Sequence, residues 1–254
     1  MGLFGKLFEK KVCAICNNEI GLFGNRKLED GNMCKNCASL LSPFFSERRS
    51  STVVEIKEQL AYRQANKEEV AKFHPTLTLG DHTKIIFDES ARQFIVTESS
   101  RWQKENPDII KYDQVTGCDF EIKEDVTEAK RENSEGEEVS YIPARYYYEY
   151  DFYITIHINH PYFNEIEFKL NASSVDITDG NAVIAMKKPN LTNHYEYQRY
   201  VNMGNEIKEQ LLEVREQVKQ ATTEKAAVVY PYCGASTFPD EYGRCEYCKG
   251  SVKE

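Results

Sequence analysis

The chain has no long hydrophobic run and few histidines. No stretch approaches the roughly 20 apolar residues that span a bilayer, and the segment 1–11 lacks the apolar core of a secretory signal. Only five histidines and one tryptophan occur. The phosphate-binding loop, the nucleophile elbow and the HExxH metalloprotease pattern are all absent from the sequence. We therefore expect a cytoplasmic protein that is not an enzyme.

Positive charge is also in short supply, because 32 Lys and Arg face 41 Asp and Glu for a net charge of −9. An acidic chain repels polyanions, so we do not expect nucleic acid or an anionic membrane to bind the whole molecule. The first fifty residues differ, with eight basic and five acidic side chains. They also contain an apolar patch formed by Leu3, Phe4, Leu7 and Phe8. Nucleic-acid binding and a transient membrane contact through this segment are therefore the alternatives to a protein partner.

The cysteines are clustered near the two ends of the chain, and in a reducing compartment clustered thiols indicate metal binding rather than disulfides. Cys13, Cys16, Cys34 and Cys37 follow the spacing C-x2-C-x17-C-x2-C, which is typical of a structural zinc site. Two residues between thiolates allow a tight turn whose sulfurs bind one ion, and a second turn completes the tetrahedron. About forty residues cannot bury a self-sufficient core, so we expect one structural Zn²⁺ ion to supply folding energy.

The C-terminal cysteines form a less complete set. The spacing is that of a small zinc ribbon, with cysteines at Cys233, Cys245 and Cys248, but Tyr230 stands where the first cysteine would be. Three interpretations stay open: three thiolates bind zinc weakly with water or another side chain, the unit folds without metal, or a partner molecule supplies the fourth ligand. A phenol is a rare zinc ligand, so Tyr230 is not assigned to the metal. The remaining cysteine, Cys118, lies in a strand-like run and is predicted to act as a small apolar residue.

Helical and extended patterns succeed one another along the chain. Thr52 and Glu55 form a capping box before a predicted helix that ends by His74–Pro75. The apolar period then changes to two, and the segment 84–97 predicts a hairpin. The segment 109–122 predicts either one bent strand or two.

The second half of this region is more mixed. The charged segment 123–140 predicts a flexible loop. In 146–159 the even-numbered residues are apolar, which predicts a strand with one face on a core. A turn at 179–181 and a strand at 183–186 precede a long helix predicted for 194–224. Its apolar residues recur at steps of three and four: Tyr197, Val201, Gly204, Ile207, Leu211, Val214 and Val218.

Two parts of the sequence resemble known families. Met1–Gly5, the four N-terminal cysteines, Asn25–Gly31 and Leu41–Phe45 resemble the bacterial zinc-ribbon-like modules of domain-of-unknown-function family 4428. This resemblance implies a metal-stabilised module with Cys13, Cys16, Cys34 and Cys37 as ligands, and it implies no activity. The hairpin 84–97, the strand ending in Gln114–Gly117 and the helix after the last strand resemble the bacterial pleckstrin-homology-like fold. That fold implies a strongly bent antiparallel sheet or barrel closed by a C-terminal helix.

These patterns together predict an α+β protein in five parts. They are a zinc-ribbon-like module at 1–50, a linking helix at 51–74, a pleckstrin-homology-like β-domain at 75–193, a long helix at 194–225 and a degenerate zinc ribbon at 226–254. The function we expect is that of a zinc-binding adaptor whose β-domain binds a protein partner. The alternatives are a nucleic-acid-binding protein that uses the N-terminal ribbon, and a membrane-surface module that uses the segment 3–8 together with the pleckstrin-homology-like β-domain. The sequence indicates neither the identity of that partner nor an oligomeric state.

Overall fold

The computed structural model describes residues 11–177, 185–223, 228–230, 233–237, 244–245 and 247–250. This part of the chain is α+β, with several antiparallel sheets, few helices and a long C-terminal helix, as predicted. The apolar patch within residues 3–8, the predicted turn at 179–181 and the first half of the predicted strand at 183–186 lie outside the described residues.

Two short hairpins and one helical turn build the N-terminal unit. Strand β1 (Lys11–Val12) pairs with β2 (Glu19–Ile20), β3 (Asn25–Lys27) pairs with β4 (Asn32–Cys34), and helix α1 (Lys35–Ala38) follows directly. The buried cluster of this unit is small and includes one residue of the next helix: Cys13, Ile20, Leu28, Met33, Cys37, Leu41 and Ile56. A core of this size leaves much of the folding energy to be supplied by other interactions.

Helix α2 (Val53–Lys72) begins at the predicted capping box. The Glu55 carboxylate accepts the Thr52 backbone N–H at 2.7 Å, and the Thr52 hydroxyl accepts the Glu55 backbone N–H at 3.3 Å. The helix ends before Phe73, whose extended backbone leads into His74–Pro75.

Four strands form the first sheet in chain order: β5 (Leu77–Gly80), β6 (Lys84–Asp88), β7 (Gln93–Thr97) and β8 (Ile110–Lys111). The predicted hairpin 84–97 is confirmed as β6 and β7, with Phe87 opposite Phe94. Both faces of this sheet are covered. Ile86 and Ile95 on one face pack against the end of α2 and Trp102, whereas Phe87 and Phe94 on the other face join the main core.

The second sheet is organised around one long central strand. Its members are β9 (Val115–Glu132), β10 (Glu138–Ile158), β11 (Glu165–Lys169) and β12 (Val175–Asp176). Strand β10 pairs antiparallel with the other three. The predicted alternation is confirmed, because the even-numbered residues of its second half are buried: Tyr150, Phe152, Ile154, Ile156 and Ile158. The segment 109–122 is two strands, since a 3₁₀ turn at Tyr112–Gln114 separates β8 from β9.

The prediction of a flexible loop at 123–140 was wrong. Strand β9 continues to Glu132, and β10 begins again at Glu138. The turn between them is short, and the Asn133 side-chain oxygen accepts the backbone N–H groups of Glu135 and Glu137 at 2.9 Å each. Backbone pairing needs no apolar side chains, so the tyrosine-rich β10 keeps its polar neighbour extended.

Helix α3 (Tyr195–Thr223) covers the second sheet, in agreement with the helix predicted for 194–224. The buried residues on the face of α3 that meets the core are Tyr200, Ile207, Leu211 and Val214. The side chain of Val218 lies outside the described residues. At Gly204 the helix lies close to the sheet, because an added Cβ there would be 2.3 Å from the Phe120 ring. Only glycine therefore fits at this crossing without displacing the ring.

The last described strands are β13 (Val228–Val229) and β14 (Ser236–Thr237), which pair antiparallel. In the part of the chain that the structure describes, no helix combines the length and the apolar character required to cross a bilayer.

Candidate metal centres

The four N-terminal cysteines converge on one point. Cys13 follows β1, Cys16 lies in the next turn, Cys34 ends β4 and Cys37 lies in α1. Their sulfur atoms all lie within 4.8 Å of one another, and the Cys16 and Cys34 sulfurs are 3.8 Å apart. Four sulfurs around one ion at ~2.3 Å would be separated by about 3.8 Å in a regular tetrahedron. The arrangement therefore has the dimensions of a metal site with four protein ligands.

Backbone hydrogen bonds shape the first turn of this cluster. The Cys13 N–H donates to the Asn18 carbonyl and the Asn17 N–H donates to the Cys13 carbonyl, each at 2.9 Å. Asn17 has a φ of 59°, which the turn requires and which asparagine tolerates better than most residues. Two further N–H groups point at sulfur, since Cys34 donates to the Cys13 sulfur at 3.3 Å and Cys37 to the Cys34 sulfur at 3.4 Å.

The surroundings of the cluster affect the two buried thiols in opposite directions. Burial opposes ionisation of Cys13, but the backbone N–H groups of Cys16, Cys34 and Ile15 outweigh it and lower the thiol pKa to about 6. Burial and the neighbouring thiols raise the pKa of Cys37. A divalent cation needs thiolates, and the first ligand is prepared for this role by the N–H groups around it.

The C-terminal cysteines converge as well. The sulfurs of Cys233, Cys245 and Cys248 lie within 4.8 Å of one another, and those of Cys233 and Cys245 are 3.6 Å apart. Cys245 is buried, whereas Cys233 and Cys248 are exposed. Both cysteine groups could therefore hold a metal ion, the first through four sulfurs and the second through three.

Tyr230 occupies the place of a first cysteine in the C-terminal unit. Its N–H donates to the Ala235 carbonyl at 3.0 Å, and the Gly234 N–H donates to the Tyr230 carbonyl at 2.8 Å. Cys245 makes the same pair of bonds with Gly250 and Lys249, at 2.8 and 2.9 Å.

The turn at Cys13 has this pattern too, and in all three turns the residue four positions after the first has a positive φ. These residues are Asn17 at 59°, Gly234 at 68° and Lys249 at 57°. Tyr230 is fully buried. The turn that begins with tyrosine thus keeps the two backbone hydrogen bonds and the positive φ of the two turns that begin with cysteine. The three interpretations of the C-terminal site all stay compatible with this geometry.

The other candidate residues do not join a metal group. Burial raises the pKa of Cys118 to about 12, which fits the small apolar role predicted for it. The His157 ring lies 2.8 Å from an Asp119 carboxylate oxygen, whereas the His160 ring lies 3.2 Å from the Tyr62 hydroxyl. The two histidines therefore face different surroundings and do not converge on one point.

A buried polar cluster was missed in the sequence. Arg63 Nη1 donates to Asp108 Oδ1 at 2.6 Å, and the Ser42 hydroxyl donates to Asp108 Oδ2 at 2.8 Å. Asn66 on the same helix donates to the Pro107 carbonyl at 2.7 Å. The cluster joins the N-terminal unit, α2 and the loop before β8. The sequence does contain one signal for this cluster. Gln59, Arg63 and Asn66 are spaced four and three residues apart, which places all three on one face of α2, and that face is buried.

Comparison with known proteins supports only the N-terminal part of the predicted resemblance. No curated protein and no solved structure matches the chain. One family model does match, over residues 11–59, and the family is described as a domain of unknown function, DUF4428. The matched segment contains Cys13, Cys16, Cys34 and Cys37 together with the first turns of α2, so the N-terminal zinc-ribbon-like unit is similar to this family.

Proposed function

We propose that the protein is a non-enzymatic adaptor that binds one structural zinc ion through Cys13, Cys16, Cys34 and Cys37 and binds a protein partner through its β-sheets. The observation that carries the proposal is the closed four-sulfur cluster. A site with four protein ligands has no open position for substrate or water, so its role is to hold an interaction module together. Zinc is the ion that best suits it, because zinc favours tetrahedral thiolate coordination and undergoes no redox change.

The β-unit is proposed to be pleckstrin-homology-like. A four-stranded antiparallel sheet, a second antiparallel sheet that shares its core and a long helix after the last strand support this assignment. We place the protein in the cytoplasm, since a reducing compartment keeps clustered thiols available for metal. The C-terminal three-cysteine group is proposed as a second, weaker zinc site.

The partner-binding surface is proposed to be the hairpin arm, defined as residues 123–148 of β9 and β10. Most of its residues are exposed, including Val126 at 44% and Ile142 at 96%. Among the described residues β9 pairs only with β10, so its outer edge leaves backbone N–H and C=O groups unpaired. Such an edge accepts an extended peptide as an additional strand.

Native mass spectrometry with metal analysis tests the zinc half of the proposal. We expect at least one zinc ion per chain in the purified protein, with loss of the N-terminal fold after exhaustive chelation. An N-terminal unit that stays folded without metal, or that contains disulfides between these cysteines, would contradict the proposal.

Photo-crosslinking tests the adaptor half. A crosslinking amino acid at Thr127, in the arm, is compared with the same residue at Glu68 on the exposed face of α2. We expect a discrete protein adduct from cell extract at Thr127 and none at Glu68. Equal labelling at both positions, or no protein adduct at Thr127, would rule out the arm as the binding surface.

A further inference from the structure

A cavity of about 350 Å³ in the N-terminal unit concentrates positive charge. It lies between β3, α1 and the turn at residues 47–49, and three cationic side chains line it: Arg26, Lys35 and Arg48. None of the described residues that line it is acidic, and Glu47 precedes Arg48 in the chain without being one of them. The protein as a whole has a net charge of −9, so this local excess of cations runs against its overall composition.

Backbone carbonyls hold two of these cations in place. Arg26 Nη1 donates to the carbonyls of Asn25 at 3.2 Å and Phe23 at 3.4 Å, and Arg48 Nη1 donates to the Lys27 carbonyl at 2.5 Å. A guanidinium has five N–H donors. The Nε and Nη2 groups of both arginines therefore retain the capacity to bind another acceptor. Oriented guanidinium groups with donors to spare suit the oxygens of a phosphoryl group.

The cations are not neutralised within the described part of the chain. Arg26, Lys35 and Arg48 form no ion pair with a described carboxylate. Burial lowers the pKa of Arg48, and the charges of Arg49 and Arg26 lower it further. Crowding of like charges raises the free energy of this region, and an anion in the cavity would relieve it.

Exposed apolar residues flank, in the chain, the residues that line the cavity. Leu22 is 78% exposed and Phe23 is 89% exposed, and the carbonyl of Phe23 is one of the two that hold Arg26. Leu40, 56% exposed, lies in the chain between two residues that line the cavity. Apolar tips beside a cationic pocket are typical of a surface that enters the headgroup layer of a membrane.

We propose that this cavity binds the phosphomonoester headgroup of an anionic membrane lipid, with Leu22 and Phe23 inserted into the interfacial layer. Three cations match a dianionic phosphomonoester better than the single charge of a phosphodiester. The anionic membrane repels the acidic remainder of the protein. Membrane contact is therefore confined to the face of the N-terminal unit that carries the cavity. This proposal is independent of the protein partner proposed for the hairpin arm.

The test uses the full zinc-loaded chain and vesicle flotation. Phosphatidylcholine vesicles containing phosphatidic acid are compared with vesicles containing phosphatidylserine at matched surface charge. We expect preferential binding to phosphatidic acid that weakens with added salt. Arg26→Gln combined with Lys35→Gln should weaken this binding roughly tenfold or more, since two of the three cations are lost. Lys35→Gln alone is compared with Lys11→Gln, which also removes one exposed cation of the same unit but lies outside the cavity and should change binding little.

Two further measurements separate the headgroup from the apolar contact and from a folding defect. The double variant Leu22→Ser, Phe23→Ser should no longer bind vesicles, because it lacks the apolar side chains that insert. Its cavity should still bind inorganic pyrophosphate in solution, seen as amide NMR shifts on addition of this anion. Unchanged zinc content in each variant shows that the unit is folded, and Lys35→Gln alone serves if the double variant loses zinc.

Equal binding to both charged vesicles, or an equal loss in Lys11→Gln, would reduce the effect to undirected surface charge and overturn the proposal. A native protein that binds pyrophosphate but no vesicle of either composition would also overturn it, as would binding of RNA in place of vesicles with the same dependence on Arg26.

Discussion

Arg63 and Asp108 are 45 positions apart in the chain, and their Nη1 and Oδ1 atoms lie 2.6 Å apart with side-chain exposures of 8% and 0%. The pair does not stand alone, because Asp108 also accepts the Ser42 hydroxyl and Arg63 Nη2 donates to the Asn106 carbonyl. The pair therefore fastens the N-terminal unit, α2 and the first sheet to one another.

Removing one partner of this ion pair should be costly. We expect Arg63→Ala to lower the free energy of unfolding by about 3–5 kcal/mol, because it leaves the Asp108 charge buried without a cation. Lys67→Ala, on the exposed side of α2, should change it by less than about 0.5 kcal/mol. Urea denaturation of the zinc-loaded protein measures both. A loss in Arg63→Ala no larger than in Lys67→Ala would show that the cluster is not structural.

The N-terminal cysteines should be required for folding of their own unit and not of the β-sheets. We expect Cys37→Ser to abolish zinc binding at this site and to remove hydrogen-exchange protection from β1–β4, while β6, β7 and β10 stay protected. Cys118→Ser is the control, since Cys118 belongs to the main core and to neither thiol cluster. Loss of protection throughout the chain would mean that the unit is not independently stabilised by metal.

Restoring a cysteine at position 230 should complete the second site. We expect Tyr230→Cys to raise zinc affinity of the C-terminal group roughly tenfold or more, because the turn already has the backbone of a ligand-bearing knuckle. Tyr230→Phe tests for an effect of removing the hydroxyl alone. Competition with a chromophoric chelator reports the affinities. No gain in Tyr230→Cys would show that this position does not face the other three sulfurs.

The close contact between Gly204 of α3 and Phe120 of β9 predicts that adding one methyl group at position 204 lowers the stability of the protein. Alanine is a better helix former than glycine by about 1 kcal/mol, yet overpacking costs about 1–3 kcal/mol. With a Cβ 2.3 Å from the Phe120 ring, we expect Gly204→Ala to destabilise the protein on balance. Phe120→Leu should reduce this penalty in the double variant. Thermal denaturation of the four proteins gives the coupling, and an independent sum of the two single effects would contradict the packing argument.

Acid sensitivity should depend on Asp88. Burial opposes its ionisation, but the N–H groups of His74 and Ala91 and the side chains of Ser90 and Gln93 outweigh this and lower its pKa. A depressed folded pKa contributes stability that is present above the unfolded value near 3.9 and is lost as the pH falls through the folded value. We expect the difference in unfolding free energy between the native protein and Asp88→Asn to shrink below about pH 4. Any release of metal from the cysteine groups would affect both proteins equally, so the difference in unfolding free energy reports on Asp88 alone. A constant difference from pH 6 to pH 3 would refute the argument.

The patterns that repeat at short range were readable in the sequence. The Thr52 capping box, the alternation along β10 and the spacing of Cys13 and Cys16 each follow from local chemistry, and the structure confirms the elements they predict. Long-range pairing was less readable. The strand at 123–132 contains no apolar alternation, so its extension depends on the partner strand. The spacing of Arg63 and Asn66 indicates the buried face of α2, but the pairing of Arg63 with Asp108 follows only from the fold.

The chain contains three turns with the same backbone hydrogen bonds, which begin at Cys13, Tyr230 and Cys245, and these turns can be compared directly. Each turn closes with the same two backbone bonds whether its leading side chain carries sulfur or a phenol. Backbone shape and ligand supply are thus separable properties at these positions. With no sulfur at position 230, the C-terminal unit still holds the sulfurs of Cys233, Cys245 and Cys248 close together. The residue at position 230 alone can therefore set how much metal the C-terminal site binds.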